Sequence, residues 1–421
     1  MLVLVLTTDA QNPKGKYGTF ALTNATIETI TKGTISNGTV ILQGGKITSV
    51  GTNIAVPEGA EVINCNGLKI YPGMIDGGTQ LGLSEVGSDK KTQDFNESGE
   101  VIPQLKALTA VNPNSVGIPV TRVSGVTATL AKPEGGLFPG TAALINLYGY
   151  TPDQMFGGFE CVVMNFPNTS RRGFFDRRSE EELKKAAEKS LKQLNDVWEK
   201  AVQYYKLDSA TKGRGLSYYP EMEALLPIVK GEQYLMIEVN ASKDIQSALK
   251  WVKEKKIKKV ILSGVAEGWR VADKIAAQQI PVVAGPVIAI PTREYDRYDQ
   301  MYTNPGLMKK AGVKVAIRSA DSDNVRNLPY HAGFAAAYGM GKEDALKAIT
   351  IVPAEIFGVD NKLGSIEVGK NATLFVCDGD PMETKTQIKH VFIDGWMVPM
   401  VSRQTLLYDE FLERDPGVKK N

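Results

Sequence analysis

The fold expected for this chain is decided by the stretch Tyr71-Pro72-Gly73-Met74-Ile75-Asp76-Gly77-Gly78-Thr79-Gln80-Leu81-Gly82. Gly78 and Gln80 stand two residues apart in it, and residues two apart in a strand point to the same face. The preceding residues, 18–71, contain short β-branched runs interrupted by Gly-Gly and Asn-Gly pairs. This pattern predicts β-hairpins before the stretch.

The middle of the chain alternates strand-like runs with helical ones, as a barrel of parallel strands and helices requires. Short apolar strands are predicted at residues 126–130, 234–238, 260–264, 280–284 and 313–318. A long helix is predicted at residues 179–205, because Ser179 and Glu182 have the spacing of a capping box. Apolar residues of this helix recur three to four positions apart and are expected to pack in the core: Leu183, Ala187, Leu191, Leu194, Trp198 and Ala201.

Two further motifs lie near the end of the chain. They are Ala348-Ile349-Thr350-Ile351-Val352-Pro353-Ala354-Glu355-Ile356-Phe357-Gly358 and Gly364-Ser365-Ile366-Glu367-Val368-Gly369-Lys370-Asn371-Ala372. With the opening stretch they resemble the amidohydrolase superfamily, most closely its imidazolonepropionase-like metal-dependent hydrolase branch. The resemblance implies an α/β fold, a (β/α)8 TIM-type barrel at 72–361 with a composite β-sandwich domain at 18–71 plus 362–421.

The composition limits the partners and sites to expect. A formal net charge of +2 over 421 residues gives no electrostatic reason to expect nucleic acid or an acidic membrane as partner. No apolar run is long enough to span a bilayer. Cys65, Cys161 and Cys377 form no CxxC pair. His331 and His390 are the only histidines, whereas a binuclear site of the resembled superfamily takes four.

Residues 1–11 are similar to the second half of a secretory signal, because an apolar run leads into small and polar residues. Residues 1–17 are therefore predicted to be a signal-peptide remnant or a disordered leader, and the protein to be periplasmic or secreted. The basic segment that normally precedes such a run is missing, so a stray strand and a cytoplasmic location are the alternative.

The resemblance also assigns the metal-ligand positions. In the superfamily the opening motif has the form Pro-Gly-x-Ile-Asp-x-His-x-His-Leu, and its two histidines bind metal. Gly78 and Gln80 stand at these positions, Glu238 at the histidine of strand five and Gly264 at that of strand six. Glycine offers no donor, and glutamine offers only a neutral amide oxygen. The resemblance therefore implies that these metal ligands are replaced and that no metal cofactor is bound, with a single divalent cation as the alternative.

Strand eight of the superfamily contributes an aspartate that binds metal and takes a proton from the attacking water. Ala320 stands at this position, and Asp321 takes it if the alignment shifts by one residue. Side chains alternate along barrel strands, so Arg318 faces the barrel centre if Ala320 does. By the same rule Glu238 and Asn240 share a face. A buried arginine needs a carboxylate partner, and we hypothesise that Glu238 and Arg318 pair across the former metal site.

The loop after strand eight is expected to lie at the barrel mouth. Asp323 and Asp321 could together hold a hard cation, although a hydrated turn with an Asx cap is the alternative. Asn324, Arg326 and His331 complete the expected pocket, which also contains Asn240 and Arg318. A lone histidine such as His331 is more often a structural hydrogen-bonding group than a base.

Three functions follow as hypotheses. The superfamily's activity is hydrolysis of non-peptide C–N bonds in cyclic amides or dipeptide-like substrates, which needs metal to activate water. The first hypothesis is a pseudoenzyme kept for binding or for assembly, as a homo-oligomer or with an active homologue. The alternative is an active hydrolase with a rebuilt site, in which Glu238, Asp321 and Asp323 act as carboxylate catalysts. The third is a module that binds a small molecule in the barrel mouth.

Overall fold

The computed structural model describes residues 14–170, 177–211 and 217–414. Its strands in these ranges form two sheets. The strands are β1 (Lys16–Tyr17), β2 (Phe20–Glu28), β3 (Thr34–Gln43), β4 (Lys46–Gly51), β5 (Glu61–Asn64), β6 (Lys69–Pro72), β7 (Met74–Thr79), β8 (Val126–Ala131), β9 (Gly140–Asn146), β10 (Phe156–Asn165), β11 (Tyr234–Val239), β12 (Val260–Gly264), β13 (Val282–Ala284), β14 (Val315–Ile317), β15 (Leu374–Cys377), β16 (Ile388–Ile393) and β17 (Trp396–Val398).

The α-helices of the same ranges lie mostly between the strands of the second half of the chain. They are α1 (Ala107–Ala110), α2 (Gly117–Arg122), α3 (Pro152–Met155), α4 (Glu180–Thr211), α5 (Pro220–Lys230), α6 (Ser242–Lys255), α7 (Ala272–Ala277), α8 (Gln300–Lys310), α9 (Leu328–Ala335), α10 (Lys342–Lys347), α11 (Ile351–Ile356) and α12 (Arg403–Glu413). None of these helices is both long and apolar enough to cross a membrane.

Strands β7 to β14 form an eight-stranded sheet in sequential order, which confirms the predicted TIM-type barrel. The Ala320 N–H donates to the Gly78 carbonyl at 3.2 Å, so the chain after β14 meets the end of β7 and closes the ring. One strand departs from the all-parallel pattern, because β9 pairs antiparallel with both β8 and β10. A short loop joins β8 to β9 here, where an all-parallel barrel has a helical crossover.

The second sheet combines strands from both ends of the chain, as the composite-sandwich expectation requires. Its order is β1-β17-β16-β15-β6-β2-β3-β4, with β5 paired to β2. β6 and β15 pair antiparallel at the junction of the two chain ends. The opening stretch therefore leaves this sheet at Pro72 and enters the barrel at Met74.

The leader expected at residues 1–17 requires a correction. Residues 1–13 lie outside the described residues. Lys16–Tyr17, however, form β1, which pairs antiparallel with β17. The sheet thus begins inside the expected leader, because the edge of β17 offers backbone partners to these two residues.

Helix α4 begins at the predicted capping box. The Ser179 N–H donates to Glu182 at 2.7 Å, and the Glu182 N–H donates to the Ser179 hydroxyl at 3.2 Å. The predicted apolar stripe is buried, with the exception of Leu191, which is 37% exposed. Leu191 lies at the edge of the stripe, since each residue turns the helix by roughly 100°. Val197 and Tyr204 are buried on the opposite edge.

Candidate functional site

An ion pair occupies the barrel interior at the C-terminal ends of the strands. Glu238 lies near the end of β11, and Arg318 directly follows β14. Arg318 Nη1 donates to Glu238 Oε2 at 2.7 Å and Nη2 to Oε1 at 2.6 Å, so the pair is bidentate. The hypothesised pairing of Glu238 with Arg318 is confirmed. Burial alone would raise the pKa of Glu238, but the Arg318 guanidinium holds it well below its usual range.

Two more strands contribute to holding Arg318. Its Nη1 also donates to the Ser263 hydroxyl at 2.6 Å, and Ser263 lies on β12. Its Nε donates to the Gly285 carbonyl at 3.3 Å, just after β13. The Arg318 side chain is 6% exposed, so these bonds replace nearly all of its hydration. The guanidinium is thus fixed in position by groups from β11, β12 and the end of β13.

Lys132 contacts the ion pair and was not predicted from the sequence. It directly follows β8, is 3% exposed, and places Nζ 3.5 Å from Glu238 Oε2 and 3.6 Å from Glu134 Oε1. Gln80 Nε2 donates to the same Glu134 oxygen at 2.6 Å. Its position could have been predicted, because Lys132 lies just beyond the strand predicted at 126–130 and residues after barrel strands lie at the mouth.

The two glycines at assigned ligand positions lie against the ion pair. A Cβ atom on Gly78 would be 3.4 Å from Arg318 Cδ. A Cβ atom on Gly264 would be 2.4 Å from Asn240 Oδ1 and 2.6 Å from Glu238 Oε1, and Gly264 has a φ of +85°. Larger side chains at Gly264 therefore clash unless Glu238 and Asn240 move. Ala320 also has a positive φ of 54°.

Asp76 is a fully buried carboxylate beneath this site. It accepts the backbone N–H of Gly78 at 3.0 Å and that of Ser319 at 3.1 Å. Burial raises the pKa of Asp76 to about 7, against the opposing effect of these hydrogen bonds. The carboxylate joins β7 to the segment after β14, which is a structural role.

The loop after β14 forms a hydrogen-bonded turn. Asp321 Oδ1 accepts the backbone N–H of Asp323 at 2.7 Å and that of Asn324 at 3.0 Å. Burial alone would raise the pKa of Asp321, but these backbone bonds lower it. Arg326 donates to the Asp323 carbonyl at 3.1 Å and to Asn324 Oδ1 at 3.2 Å. This arrangement matches the Asx-capped turn that was the alternative to a cation site.

His331 is a buried hydrogen-bond acceptor. Its Nδ1 accepts the backbone N–H of Val287 at 3.1 Å and that of Ile288 at 3.2 Å. Burial lowers the pKa of His331 to about 4, so the imidazole is neutral near pH 7. It fixes the start of the segment after β13.

A cavity of about 1540 Å³ opens at this end of the barrel. Lys132, Glu134 and Glu238 lie in its wall, together with Asn240 from the predicted pocket. The remaining predicted pocket and catalytic residues do not line it: Arg318, Asp321, Asp323, Asn324, Arg326 and His331. The structure therefore places Arg318 behind Glu238 and the turn after β14 outside the cavity. In the described ranges, no three His, Cys, Asp or Glu side chains cluster as metal ligands do.

Fold and site together define a TIM-barrel protein with an accessory β-sheet and polar residues at the strand ends. A sequence profile described as the amidohydrolase family matches residues 290–398. The chain is 22% identical over 407 residues to the amidohydrolase tasK of Hapsidospora irregularis, a match that covers 85% of this chain and 39% of that protein. Residues 290–398 thus match the amidohydrolase family, and the chain is similar to an amidohydrolase over most of its length. It spans about two fifths of the length of this curated relative.

Solved structures agree on the fold. An amidohydrolase from Thermotoga maritima MSB8 superposes with a TM-score of 0.79 at 24% identity, covering 91% of this chain and 100% of that one. A prolidase complexed with N-methylphosphonate-L-proline superposes with a TM-score of 0.54 at 15% identity, covering 92% and 100% of the two chains.

Proposed function

We propose that this chain is a metal-free member of the amidohydrolase superfamily. It would be a pseudoenzyme that acts by binding or by assembly and not by hydrolysis. The observation that supports this most directly is the Glu238–Arg318 ion pair at 2.6 Å in the barrel interior. A guanidinium held between the strand ends supplies the positive charge that a metal ion would supply there. We propose that the metal ligands were lost together with the gain of this ion pair. Their positions are now held by Gly78, Gln80, Gly264 and Ala320.

The donor set argues against a metal in the same place. Both carboxylate oxygens of Glu238 accept hydrogen bonds from Arg318, and the Gln80 amide donates to Glu134. A metal on Glu238 would leave the buried Arg318 without its carboxylate, which costs about 3–5 kcal/mol for pairs of this kind. We therefore propose that no metal cofactor is bound, and we derive no catalytic step through one. A single divalent cation on Glu238 remains the alternative that the experiment below tests.

The alternative of a rebuilt hydrolase has weaker support. A carboxylate base works best with a pKa near the working pH. The pKa of Glu238 and that of Asp321 are instead both lowered, the first by Arg318 and the second by backbone N–H groups, although burial opposes each shift. Asp323 lies outside the cavity wall and so is poorly placed to reach a substrate there.

Assembly is proposed as part of the role. The match covers 39% of the amidohydrolase tasK, so that protein contains more than twice the length of this chain. We propose that a barrel of this type associates with an active homologue, with a homo-oligomer as the competing outcome. Export to the periplasm is proposed on the apolar run in residues 1–11.

A hydrolysis assay tests the proposal. Purified protein is incubated with zinc or manganese and with a panel of cyclic amides and dipeptides, beside Glu238→Ala and the control Glu355→Ala on an exposed ion pair. We expect no turnover by any of the three proteins. Metal-dependent turnover that Glu238→Ala abolishes and Glu355→Ala retains would contradict the proposal.

A further inference from the structure

We infer that a second cavity, at the end of the barrel opposite to the mouth, binds an acidic sugar, that is, a pyranose ring that carries a carboxylate. Its volume of about 540 Å³ lies within the roughly 300–1,000 Å³ of ordinary small-molecule pockets. Two lysines, two aromatic rings, an amide and a carboxylate line it: Lys46, Lys362, Tyr17, Trp396, Asn371 and Asp394. None of these residues lies in the wall of the cavity at the mouth, so the inference is independent of the proposed function.

The second cavity lies where segments from both ends of the chain meet the base of the barrel. Asp394, in the turn between β16 and β17, accepts the Asn146 amide at 2.8 Å. Asn146 pairs with Ala128 near the start of β8. Catalytic sites of TIM barrels lie at the other face, which the C-terminal ends of the strands form. The second cavity is therefore separate from the Glu238–Arg318 ion pair.

Close backbone packing joins three segments that form much of the wall. The turn between β3 and β4 lies against the turn between β16 and β17, since a Cβ atom on Gly395 would be 2.6 Å from the Cα atom of Gly45. The Ala372 N–H donates to the Gly45 carbonyl at 2.9 Å, and the Gly395 N–H donates to the Ala372 carbonyl at 3.0 Å. These contacts hold the wall in position before a ligand binds.

The charges of the wall favour an anion. Lys46 Nζ donates to Asn371 Oδ1 at 2.6 Å, which uses one of its three N–H groups. In the described part of the chain, Lys362 pairs with no carboxylate and its ammonium donates no hydrogen bond. The Asp394 carboxylate instead accepts three side-chain hydrogen bonds from the protein, at 2.6, 2.8 and 3.3 Å. The donors of the two lysines are thus left for a ligand, whereas the carboxylate is occupied.

The two aromatic rings favour a sugar as the carrier of the anion. The centroids of the Tyr17 and Trp396 rings are 5.0 Å apart, and the ring planes are tilted by 46°. Tyr17 is 48% exposed, so its ring is open to a ligand. Aromatic faces are electron-rich and attract the weakly positive C–H groups of a sugar. Two tilted faces suit a puckered ring, whereas a flat base stacks on one plane. Asn371 retains an N–H and a lone pair for a hydroxyl group.

An NMR titration at low ionic strength tests this inference, because salt screens exposed charges. The reporter is the indole N–H signal of Trp396, which is assigned by its loss in Trp396→Phe. Three probes are compared: D-glucuronate, its neutral methyl ester, and acetate, which has the charge without the ring. We expect glucuronate to shift the signal saturably. The other two probes should bind at least about tenfold more weakly, as the loss of ~1.4 kcal/mol of interaction produces.

Two variants and a control connect the binding to the second cavity. Lys362→Met removes an ammonium and Tyr17→Ala removes a ring, and both positions are exposed, so the fold tolerates the changes. We expect each variant to weaken glucuronate binding about threefold or more, within the range of exposed charge pairs. Lys389→Met should match the wild type, because Lys389 lies in the same sheet but pairs with Asp378 outside the cavity.

Four results would overturn the inference. They are no shift of the Trp396 signal with glucuronate, equal binding of the methyl ester or of acetate, unchanged binding in both Lys362→Met and Tyr17→Ala, and tighter binding of uridine monophosphate than of glucuronate. The last result would assign the cavity to a nucleotide, which brings a flat base and a phosphate. Metal content and turnover play no part in this readout, so its failure is distinct from failure of the proposed function.

Discussion

Arg318 makes four hydrogen bonds to groups from three separate segments of the barrel, namely Glu238, Ser263 and Gly285. Replacing Glu238 by Met removes the counter-charge and leaves the guanidinium buried. We expect the free energy of unfolding to fall by about 3–5 kcal/mol in urea titrations. The matched control is Glu355→Met, which breaks an exposed pair with Lys314 and should cost at most about 1 kcal/mol. Equal losses of unfolding free energy in the two variants would contradict the role of Glu238 as the counter-charge of the buried Arg318.

Gly264 offers a second test at the scale of the residue. Gly264 and Gly312 both have positive φ angles, +85° and +94°, but a Cβ atom meets Glu238 and Asn240 only at Gly264. The backbone strain of alanine, about 1–2 kcal/mol, applies to both sites. Crowding should add about 1–3 kcal/mol at Gly264. We expect Gly264→Ala to lower the unfolding free energy more than Gly312→Ala, whereas equal effects would show that the site has room for a side chain.

At the same scale, the sequence predicted part of the site. The resemblance placed Glu238 and Ala320 at the barrel centre, and the alternation of side chains, which is a local rule, put Arg318 on the same face as Ala320. This was not enough to find Lys132 or Ser263, whose roles depend on which strands are neighbours. The Asx-capped turn at Asp321 could be predicted as an alternative, since Asx turns form within a few residues.

Among the elements, the segment after β13 is held across the barrel mouth by Arg293. Arg293 Nη2 donates to Glu267 Oε2 at 2.6 Å, and the Ser242 N–H donates to the same carboxylate at 2.9 Å. Burial alone would raise the pKa of Glu267, but these bonds lower it to about 2. The folded-state pKa thus lies below the unfolded value of about 4.3, so the unfolded chain binds more protons between these pH values.

The consequence is a pH-dependent stabilisation that is complete above about pH 4.3 and is lost as the pH falls towards 2. Arg293→Met should flatten this part of the curve of unfolding free energy against pH. Arg297→Met is the control, because Arg297 pairs with Asp299 and is 77% exposed. If Arg293→Met and the wild type lose stability in parallel over this range, the contact does not hold the segment.

Local sequence patterns predicted some elements and missed others. Helix α4 was predictable because its capping box and apolar stripe lie within the helix itself. β9 was missed because Gly140–Asn146 is buried along its whole length and has no polar alternation. β10 was missed as well, since it begins with Phe-Gly-Gly and glycine is rare in strands.

For the whole molecule, the two sheets are joined by one apolar cluster that contains residues of both. Tyr71 and Phe375 stack at 5.6 Å and belong to a buried cluster that includes Leu81 and Ile317 of the barrel. We expect one cooperative transition in calorimetry. Phe375→Ala should lower the midpoint while keeping a single transition, at a cost of about 3–5 kcal/mol. Val62→Ala, at a 56% exposed position, is the control. Two separate transitions would contradict a cluster that joins both sheets.

We propose that the Glu238–Arg318 ion pair occupies the place where amidohydrolases bind their metal. Elemental analysis after incubation with zinc or manganese and removal of the excess tests it most directly. We expect the wild-type protein to retain far less than one metal ion per chain, and Glu238→Ala to retain no less than the wild type. Stoichiometric metal in the wild type that Glu238→Ala loses would contradict the proposal that no metal is bound.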